Sequence, residues 1–429
     1  MSQKPVRFAV MPSPPASADR AAARPPRSDW RAIVVVFWLT SMVEGLGVSQ
    51  VFAFVPAYLH EMGVADPDRL SFVGLFSALI FVVGAPFVPL WGVWADKYSR
   101  KAVIVRSALV EALVFACVAL SREPWQLAAS MLLIGLQLGN TGVMLAGIRD
   151  AVPRERLGTI IAAFGASGPI GFAVGPALGG LLIDGLGWPI YGVFWVSCVL
   201  SLVTALLVTI GSREIRPEVV PVGRVLDLAY GAIRGVLDDR TVRRIFVIYG
   251  VAFVANQMSR PYQPLVVEQL VGKGPGLAAA IGFVTGTAAL IGAVTAPIGG
   301  VAGDRIGFRP VLVGALAGGG LALLAVPLAS TVGLLALSVL VFTACNATVG
   351  AMVFGLLATE TPPERRSATL NLVYLPLYAA GIVGPAIGGA IAPLTGVAGP
   401  FWVGAAIFLF GALVVAVRVR VGSGEAAAG

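Results

Sequence analysis

The 429-residue chain has 57% hydrophobic and only 12% charged residues, with a formal net charge of +8 at pH 7. Soluble domains carry about 25% charged residues, so this composition excludes an ordinary soluble domain. Charge-free stretches run from residue 310 to 359 and from 367 to 417. Each is long enough for two helical crossings at about 20 residues per helix. The sequence therefore predicts an all-α polytopic membrane protein.

Loops and charge clusters divide the chain into twelve predicted spans. Residues 1–30, rich in Pro, Ala and Arg, contain no apolar run long enough for a signal peptide and are predicted to be a disordered tail. The six spans of an N-terminal half (31–211) are joined by a linker (212–243) to a C-terminal half (244–417), and a tail (418–429) follows. The spans are 32–59, 70–94, 102–120, 125–148, 157–183, 189–211, 245–271, 277–302, 310–329, 332–358, 367–393 and 399–417.

The basic residues of the loops predict the orientation. The side that carries the two tails holds 26 Lys and Arg, the other side has only Arg69, Arg122 and Lys273, and Arg260 lies inside a span. Cytoplasmic loops carry the excess of Lys and Arg, so both termini are predicted to be cytoplasmic, in an inner or plasma membrane. The positive charge is thereby explained without nucleic-acid binding.

The chain shows no pattern of a metal, cofactor or active site. Cys117, Cys198 and Cys345 all lie in apolar segments, with a spacing that suits neither a metal site nor a disulfide framework. The single histidine, His60, falls at the end of a predicted span, and no nucleophile constellation accompanies it. We expect no cofactor, no metal and no enzymatic activity.

An internal repeat decides the architecture. At a shift of 208 residues Pro56 aligns with Pro264 and Asp96 with Asp304. At 209 residues P-R-E-R (153–156) aligns with P-P-E-R (362–365), and G-P-A-L-G-G (175–180) with G-P-A-I-G-G (384–389). A near-constant offset at four places predicts two six-helix halves of the same orientation. Such repeats are typical of transporters, with the solute site between the halves near mid-membrane.

The loop between spans 2 and 3 carries a specific resemblance. G-V-W-A-D-K-Y-S-R-K resembles the major facilitator superfamily signature G-x-[LF]-[AG]-D-[RK]-x-G-[RK]-[RK], from which Trp94 and Ser99 depart. G-P-A-L-G-G-L-L at the end of span 5 resembles the signature of that superfamily's twelve-helix drug:proton antiporter branch. The arginine of a third signature, R-x-x-Q-G in span 4, is absent, because Gly135 and Leu138 occupy its key positions. The resemblance implies the major facilitator fold, with two halves related by pseudo-two-fold symmetry.

The resemblance also implies a cytoplasmic gate in this loop. Asp96 would contact the cytoplasmic start of span 11 near Ser367, where free N–H groups and the helix dipole favour an anion by up to about 2 kcal/mol. Arg100 would pair with Asp150 at the end of span 4. The alternative is that the basic residues only fix topology. The predicted gate residues are Gly92, Asp96, Lys97, Arg100, Lys101, Asp150 and, as the second-half copy, Asp304.

The G-P-x-x-G-G segment predicts close helix packing. Gly171, Gly175 and Gly179 follow one another at four-residue intervals, a spacing that lets helix backbones approach. Pro176 removes a backbone donor and favours a kink. The resemblance assigns to Gly175, Pro176, Gly179 and Gly180 a closed contact between spans 5 and 8 that blocks proton leak, and generic packing is the alternative.

Polar residues inside spans predict which helices line the cavity. They concentrate in spans 1, 4, 7, 10 and 11, and the first four of these line the cavity in the superfamily that the loop resembles. Each such residue has helix–helix hydrogen bonding as its alternative role. The predicted cavity residues are Gln50, Phe54, Tyr58, Gln137, Asn140, Thr141, Asn256, Gln263, Asn346, Asn371, Tyr374 and Tyr378.

Glu44 and Arg260 are charged residues predicted at mid-membrane. An ionised group there costs several kcal/mol and is usually functional, so Glu44 is the predicted proton carrier and Arg260 its companion in coupling. A static ion pair is the alternative. The repeat alignment separates the two by eight residues in depth, roughly 12 Å, whereas counting from the first arginine of each span separates them by three, roughly 5 Å. We favour the repeat alignment. Glu111 in span 3 is a rival carrier.

These patterns predict a secondary active transporter that exports small hydrophobic or cationic compounds in exchange for protons. The aromatic walls would be supplied by Phe52, Phe54, Tyr58, Tyr262, Tyr374 and Tyr378. An uptake symporter or a sugar or metabolite exporter on the same scaffold is the alternative, and a non-transporting membrane receptor is a third interpretation. The expected partners are the solute, protons and membrane lipid, with no nucleic acid, and we expect a monomer.

Overall fold

A computed structural model describes residues 30–217, 220–237, 240–360 and 374–418. Throughout these ranges the regular secondary structure is helical, and eleven helices are long and apolar enough to cross a membrane. Trp30 and Arg418 begin and end the described chain. We call the face that carries them the terminal face and the other the opposite face.

The six spans of the N-terminal half include two that are interrupted. In span 4 Gly139 takes a left-handed φ of 99°, which a side chain would disfavour, and the helix restarts after it. The start of span 3 is capped by Ser99, whose hydroxyl accepts from the Ala102 N–H at 3.0 Å. The helices are Trp30–Glu61 (span 1), Asp68–Lys97 (2), Arg100–Leu120 (3), Pro124–Ile134 and Asn140–Ala151 (4), Arg154–Gly165 and Ser167–Gly180 (5), and Ile190–Gly211 (6).

One predicted span of the C-terminal half, span 7, is not among the eleven helices that are long and apolar enough to cross a membrane. Span 7 is broken by a 3-10 turn, Arg260–Tyr262, and Pro261 and Pro264 each remove a backbone donor there. The predicted start of span 11, residues 367–373, lies outside the described residues. The helices are Arg240–Ser259 and Gln263–Val271 (span 7), Leu277–Ile306 (8), Phe308–Ala325 (9), Val332–Glu360 (10), Tyr374–Thr395 (11) and Gly399–Arg418 (12).

The linker, predicted as a loop, contains a further helix, Val225–Leu237. This helix packs against span 2, and the Tyr230 hydroxyl donates to the Pro86 carbonyl at 2.8 Å. The prediction relied on the basic residues of the linker. It did not use the apolar residues Val225, Leu226 and Leu228, which favour an amphipathic helix.

Equivalent contacts relate the two halves. A Cβ added at Gly179 in span 5 would collide with the Phe54 ring of span 1, and one added at Gly388 in span 11 would lie 2.9 Å from the Tyr262 ring of span 7. Residue 262 is the repeat partner of residue 54 at the 208-residue shift. The two G-P-x-x-G-G segments therefore occupy corresponding places, each packing its own half.

The same segments also join the halves. Cβ atoms added at Gly180 and Gly282 would lie 2.8 Å from the Ala278 carbonyl oxygen and 2.7 Å from that of Pro176, so spans 5 and 8 touch backbone to backbone. Spans 2 and 11 meet likewise, since a Cβ at Gly389 would lie 3.0 Å from the Ser71 carbonyl oxygen. Gly180 and Pro176 thus face span 8, whereas Gly171, Gly175 and Gly179 face span 1.

This packing predicts a sharp difference between two neighbouring glycines of span 5. A Cβ at Gly171 would collide with the Met42 carbonyl of span 1, whereas one at Gly168 meets nothing within 4 Å. We expect Gly171→Ala to destabilise the protein by about 1–3 kcal/mol through overpacking. Gly168→Ala is the control and leaves the melting temperature in detergent unchanged or higher. Equal melting temperatures for the two variants would contradict the packing.

Candidate functional site between the two halves

The Glu44 carboxyl lies half-buried in the middle of span 1. It interacts with the Asn140 side chain of span 4 and with the positive charge of Arg106. All three residues belong to the N-terminal half. The predicted proton carrier is therefore held by two neighbouring helices of its own half.

In the sequence, Arg106 contributed only to the predicted orientation. It reaches from span 3 to the turn of span 4, where it donates to the Leu136 carbonyl, and its guanidinium carbon lies 3.8 Å from the Trp91 ring centroid. Span 4 lacks the arginine of the R-x-x-Q-G signature, and span 3 brings a guanidinium to the same turn. Arg106 lies six residues after the start of span 3 at Arg100. This position inside the span was the sequence signal that could have identified it as a site residue.

Glu111, the rival carrier, lies in the same region. Its side chain is buried with 3% exposure, beside Ser201 of span 6 and facing Gly47 of span 1. It interacts electrostatically with Glu44. Two carboxyls of different spans therefore interact with each other, and one of them, Glu44, also interacts with the Arg106 guanidinium. We call Glu44, Arg106, Glu111 and Asn140 the acidic cluster.

The predicted cavity face of span 4 is split by the turn. Gln137 belongs to the 3-10 segment Gly135–Gln137 and is 1% exposed, and its amide atoms have no hydrogen-bond partner among the described residues. Asn140, in the next helix, joins the acidic cluster, and Thr141 is exposed. The prediction assumed an unbroken helix, and the left-handed Gly139 changes the register between Gln137 and Asn140.

Arg260 lies in the turn of span 7 and points into the N-terminal half. Its guanidinium carbon is 4.4 Å from the ring centroid of Phe52 in span 1 and 4.6 Å from that of Phe172 in span 5. Among the described residues it forms no ion pair with Glu44 or with any other carboxylate. The two mid-membrane charges occupy separate places.

Three of the cavity residues predicted in span 1 lie inside the N-terminal half. Gln50 is fully buried, donating to the Gly175 carbonyl at 3.2 Å and accepting from the Ser197 hydroxyl at 2.5 Å. Phe54 packs on Gly179, and the Tyr58 hydroxyl donates to the Ser121 carbonyl at 2.7 Å. In this structure these side chains hold spans 1, 3, 5 and 6 together.

The predicted cavity residues of the C-terminal half lie on spans 7, 10 and 11. Asn256 is half-buried and Gln263 largely buried on span 7, and the Asn346 side-chain oxygen on span 10 has no hydrogen-bond partner among the described residues. The Tyr378 ring lies 6.2 Å from that of Phe81, across the boundary between the halves. Asn371 and the side chain of Tyr374 lie outside the described residues.

The charged loop between spans 2 and 3 forms a cluster on the terminal face. Arg100 is buried and binds two carboxylates, Asp96 Oδ1 at 2.8 Å and Asp150 Oδ2 at 2.7 Å. Arg149 also reaches Asp150, at 3.2 Å. We call Asp96, Arg100 and Asp150 the terminal-face cluster. All three belong to the N-terminal half, and the predicted contact of Asp96 near Ser367 lies outside the described residues.

The remaining residues of this loop bind the linker and the end of span 6. Glu214 of the linker accepts from the Arg100 backbone N–H at 2.8 Å and from the Ser99 hydroxyl at 2.5 Å. Lys97 and Lys101 donate to backbone carbonyls of the linker and span 6. Gly92 has open space beside it, and Asp304 is exposed without an ion pair among the described residues. Glu214 was not among the gate residues predicted from the sequence.

A buried ion pair joins the two halves at the opposite face. Arg69 of span 2 donates from both Nη atoms to the Glu268 carboxylate of span 7, at 3.0 and 2.9 Å, and their side chains are 4% and 9% exposed. Asp66 also binds Arg69, and Lys273 lies 3.7 Å from Glu268. Glu268 was not among the site residues predicted from the sequence. The sequence does not show the ion pair between Arg69 and Glu268, because the two residues are 199 positions apart.

Two openings lie close to these sites. A narrow one of about 10 Å³ is lined by spans 1, 2, 4 and 7, including Phe52 and Pro261 beside Arg260. A larger groove of about 680 Å³ lies between spans 5 and 8, lined by apolar side chains such as Leu181 and Phe283, which are exposed. Neither contacts the Glu44 carboxyl.

Comparison with known proteins identifies the family. The model of the Major Facilitator Superfamily matches residues 37–270 and 245–428, almost the whole chain. The chain belongs to the Major Facilitator Superfamily.

Relatives in the superfamily include the Multidrug resistance protein MdtG of several bacteria. The protein of Citrobacter koseri is 31% identical over 290 residues, which is 67% of this chain and 70% of the relative. That of Salmonella typhi is 28% identical over 387 residues, 90% of this chain and 95% of the relative.

Solved structures of the superfamily show the same fold. A point mutant of the nucleoside transporter NupG is 14% identical with a TM-score of 0.73, covering 90% of this chain and 99% of that one. The human organic anion transporter MFSD10 is 20% identical with a TM-score of 0.65, covering 91% and 100%. The predicted superfamily and its helical membrane fold are confirmed. The protein is a multi-pass membrane transporter.

The ion pair at the opposite face predicts unequal effects of removing two cations. Arg69→Gln leaves the buried Glu268 carboxylate without its closest partner, which costs about 3–5 kcal/mol for a buried pair. We expect this variant to open the opposite face, seen as faster labelling of a cysteine at Ser77 by a membrane-impermeant thiol reagent. Lys273→Gln, which removes an exposed cation 3.7 Å away, is the control and leaves labelling unchanged. Equal labelling of both variants would refute a role of this pair in closure.

Proposed function

We propose that this chain is a proton-coupled exporter of small hydrophobic or cationic compounds, drugs included, working by alternating access in an inner or plasma membrane. The terminal face is cytoplasmic in this proposal, in keeping with the charge of its loops. Membership of the superfamily and the relatives named multidrug resistance proteins support export. The observation that carries the proton coupling is the position of Glu44.

Glu44 has the surroundings that a proton carrier needs. A carboxyl at this depth is neutral when protonated, and its ionised form is stabilised by Arg106 and Asn140 nearby. The protonated and the ionised carboxyl are therefore both accommodated within the N-terminal half. Neither form requires Glu44 to move to the other half. Glu111, next in the acidic cluster, changes the field at Glu44 whenever its own charge changes.

Alternating access needs a closure on each side of the membrane that breaks in turn. The opposite face is closed across the halves by Arg69 and Glu268. The terminal-face cluster is held within the N-terminal half, where Arg100 fixes the Asp96 carboxylate. In the proposal, Asp96 contacts span 11 when the terminal face closes, and the ion pair at the opposite face then opens.

A substitution of Glu44 in the acidic cluster is predicted to abolish proton coupling without unfolding the protein. Glu44→Gln keeps the size and hydrogen-bonding groups of the side chain but cannot release a proton. In proteoliposomes loaded with a pH-sensitive dye, we expect a transported drug to move protons through the wild-type protein and to move none above the level of empty vesicles through Glu44→Gln.

Glu61→Gln is the matched control, because Glu61 is exposed at the end of the same helix. It should retain proton movement. Drug transport that ignores a pH gradient in the wild-type protein would overturn the proton coupling, and full coupling in Glu44→Gln would overturn the role of Glu44.

A substitution of Asp96 in the terminal-face cluster is predicted to slow the transport cycle. Asp96→Asn removes the carboxylate while leaving Arg100 paired with Asp150, so the half should still fold. We expect transport per molecule to fall far more than the amount of protein in the membrane. Asp227→Asn, an exposed position of the linker helix, is the control for a lost negative charge. Parallel loss of transport and protein amount would indicate a folding role instead.

A further inference from the structure

The linker helix, Val225–Leu237, lies beside the part of span 2 that approaches the terminal face. Lys97, the last residue of span 2, donates to the Gly223 carbonyl at 2.7 Å. The Tyr230 hydroxyl donates to the Pro86 carbonyl, which lies 11 residues before Lys97, about 16 Å along the helix. Span 2 has 30 residues and is about 45 Å long, which exceeds a hydrocarbon core of about 30 Å. The Tyr230 hydroxyl therefore reaches the border of the hydrocarbon core.

This contact is on the side of span 2 that faces away from the neighbouring spans. A Cβ at Gly84 would lie 2.7 Å from the Gly135 carbonyl oxygen of span 4, and the Phe81 ring contacts span 11. Pro86 follows Gly84 by two residues and Phe81 by five, which is about 200° and 140° round a helix of 3.6 residues per turn. Pro86 and Phe87 are exposed. The outer side of a multi-pass protein faces lipid, so the linker helix lies against the bilayer.

The linker helix leaves apolar side chains uncovered at this border. Ala229 is buried, whereas Leu226 is 60% exposed and Val222, just before the helix, is 94% exposed. Tyr230 follows Leu226 by four residues, so its partly exposed ring lies on the same side of the helix. Amphipathic helices at a membrane surface bury such an edge between headgroups and acyl chains, and tyrosine is enriched at this level. The bilayer is therefore the partner that fits this edge.

Exposed arginines flank the linker helix in the sequence. Arg216 and Arg224 precede it, Arg240 and Arg244 follow it, and none of the four forms an ion pair within the described part of the chain. Residues 213–244 carry seven Arg and five Asp or Glu, so the net charge of this segment is positive. A guanidinium offers a planar fork of donors that matches a phosphate group, and basic segments beside a membrane attract anionic lipids.

We propose that the linker helix and these four arginines form a binding surface for anionic phospholipid in the leaflet at the terminal face. Leu226 lies among the upper acyl carbons, and the arginines bind the phosphate groups of the same leaflet. This lipid contact is independent of the transported solute and of proton coupling. Because the linker connects the two halves, the contact anchors their connection at the membrane surface.

A fluorophore on the exposed edge of the helix tests the contact. Leu226→Cys is made in the full-length chain with Cys117, Cys198 and Cys345 changed to Ala, and is labelled with bimane. The nanodiscs contain equal parts of phosphatidylglycerol and phosphatidylcholine. An acyl-chain nitroxide is carried by one lipid or by the other, so the bulk concentration of quencher is the same. We expect roughly twofold stronger quenching by the labelled phosphatidylglycerol than by the labelled phosphatidylcholine.

Gly231→Cys is the matched control for position on the helix. Gly231 is exposed, a Cβ there meets nothing within 4 Å, and it lies about 140° round the helix from Leu226. A bimane at this position faces water and should be quenched weakly by both labelled lipids.

Removing the arginines should remove the preference but not the contact. Arg224→Gln combined with Arg240→Gln, in the Leu226→Cys protein, should make quenching by the two lipids equal. Arg154→Gln, which changes an exposed arginine in another loop of the same face, should keep the preference.

Three results would each overturn the anionic-lipid surface. Equal quenching by the two labelled lipids at position 226 would mean that the bilayer contact does not select anionic lipid. Quenching at position 226 no stronger than at position 231 would place the helix in water. A preference that survives the double arginine substitution would exclude the arginines as its source. Because Leu226 is exposed, its cysteine variant should fold like the parent protein.

Discussion

The cost of placing an ionised group in a low-dielectric bundle governs the arrangement of this protein. Each charge deep in the helices is stabilised in a different way. Arg106 lies over Trp91 and interacts with Glu44, whereas Arg260 has only aromatic rings among the residues that the structure describes. The charges at the two faces form ion pairs, within one half at Arg100 and between the halves at Arg69. Under the proposed function, the charges that lack a full set of protein partners are the ones available to protons and solutes.

Glycine placement lets the two halves approach closely and lets the helices within each half pack tightly. Gly179 packs against Phe54 within the first half, and the next residue, Gly180, contacts the Ala278 carbonyl of the other half. The second half uses Gly388 and Gly389 in the same way, against Tyr262 and Ser71. Each G-P-x-x-G-G segment thus packs both within its own half and against the other half. A side chain at Gly180 or Gly389 would separate helices that now touch through their backbones.

The sequence allowed the superfamily, the helices and the repeat to be predicted, because hydropathy, loop charge and a constant offset are local or periodic signals. The repeat even placed Arg260 level with residue 52, and its guanidinium lies 4.4 Å from the Phe52 ring. Arg106, Phe172 and Glu268 were missed as site residues, because their partners come from other spans. Gln50 looked like a cavity residue from its polarity alone, and only packing shows that it bonds to spans 5 and 6.

The separation of Glu44 from Arg260 has a consequence for coupling. A direct ion pair would stabilise the ionised form of Glu44, which under the proposed function has to take up and release a proton. The acidic cluster lies wholly in the N-terminal half, whereas Arg260 contacts rings of the opposing half. Under the proposed alternating access, a relative motion of the halves would alter the contacts of Arg260 and leave those of the cluster in place. Span 1 carries both Glu44 and Phe52 on one continuous helix. Under the proposed function, a change of charge at Glu44 would reach the boundary along this helix, so that a proton in one half would bias the motion of both.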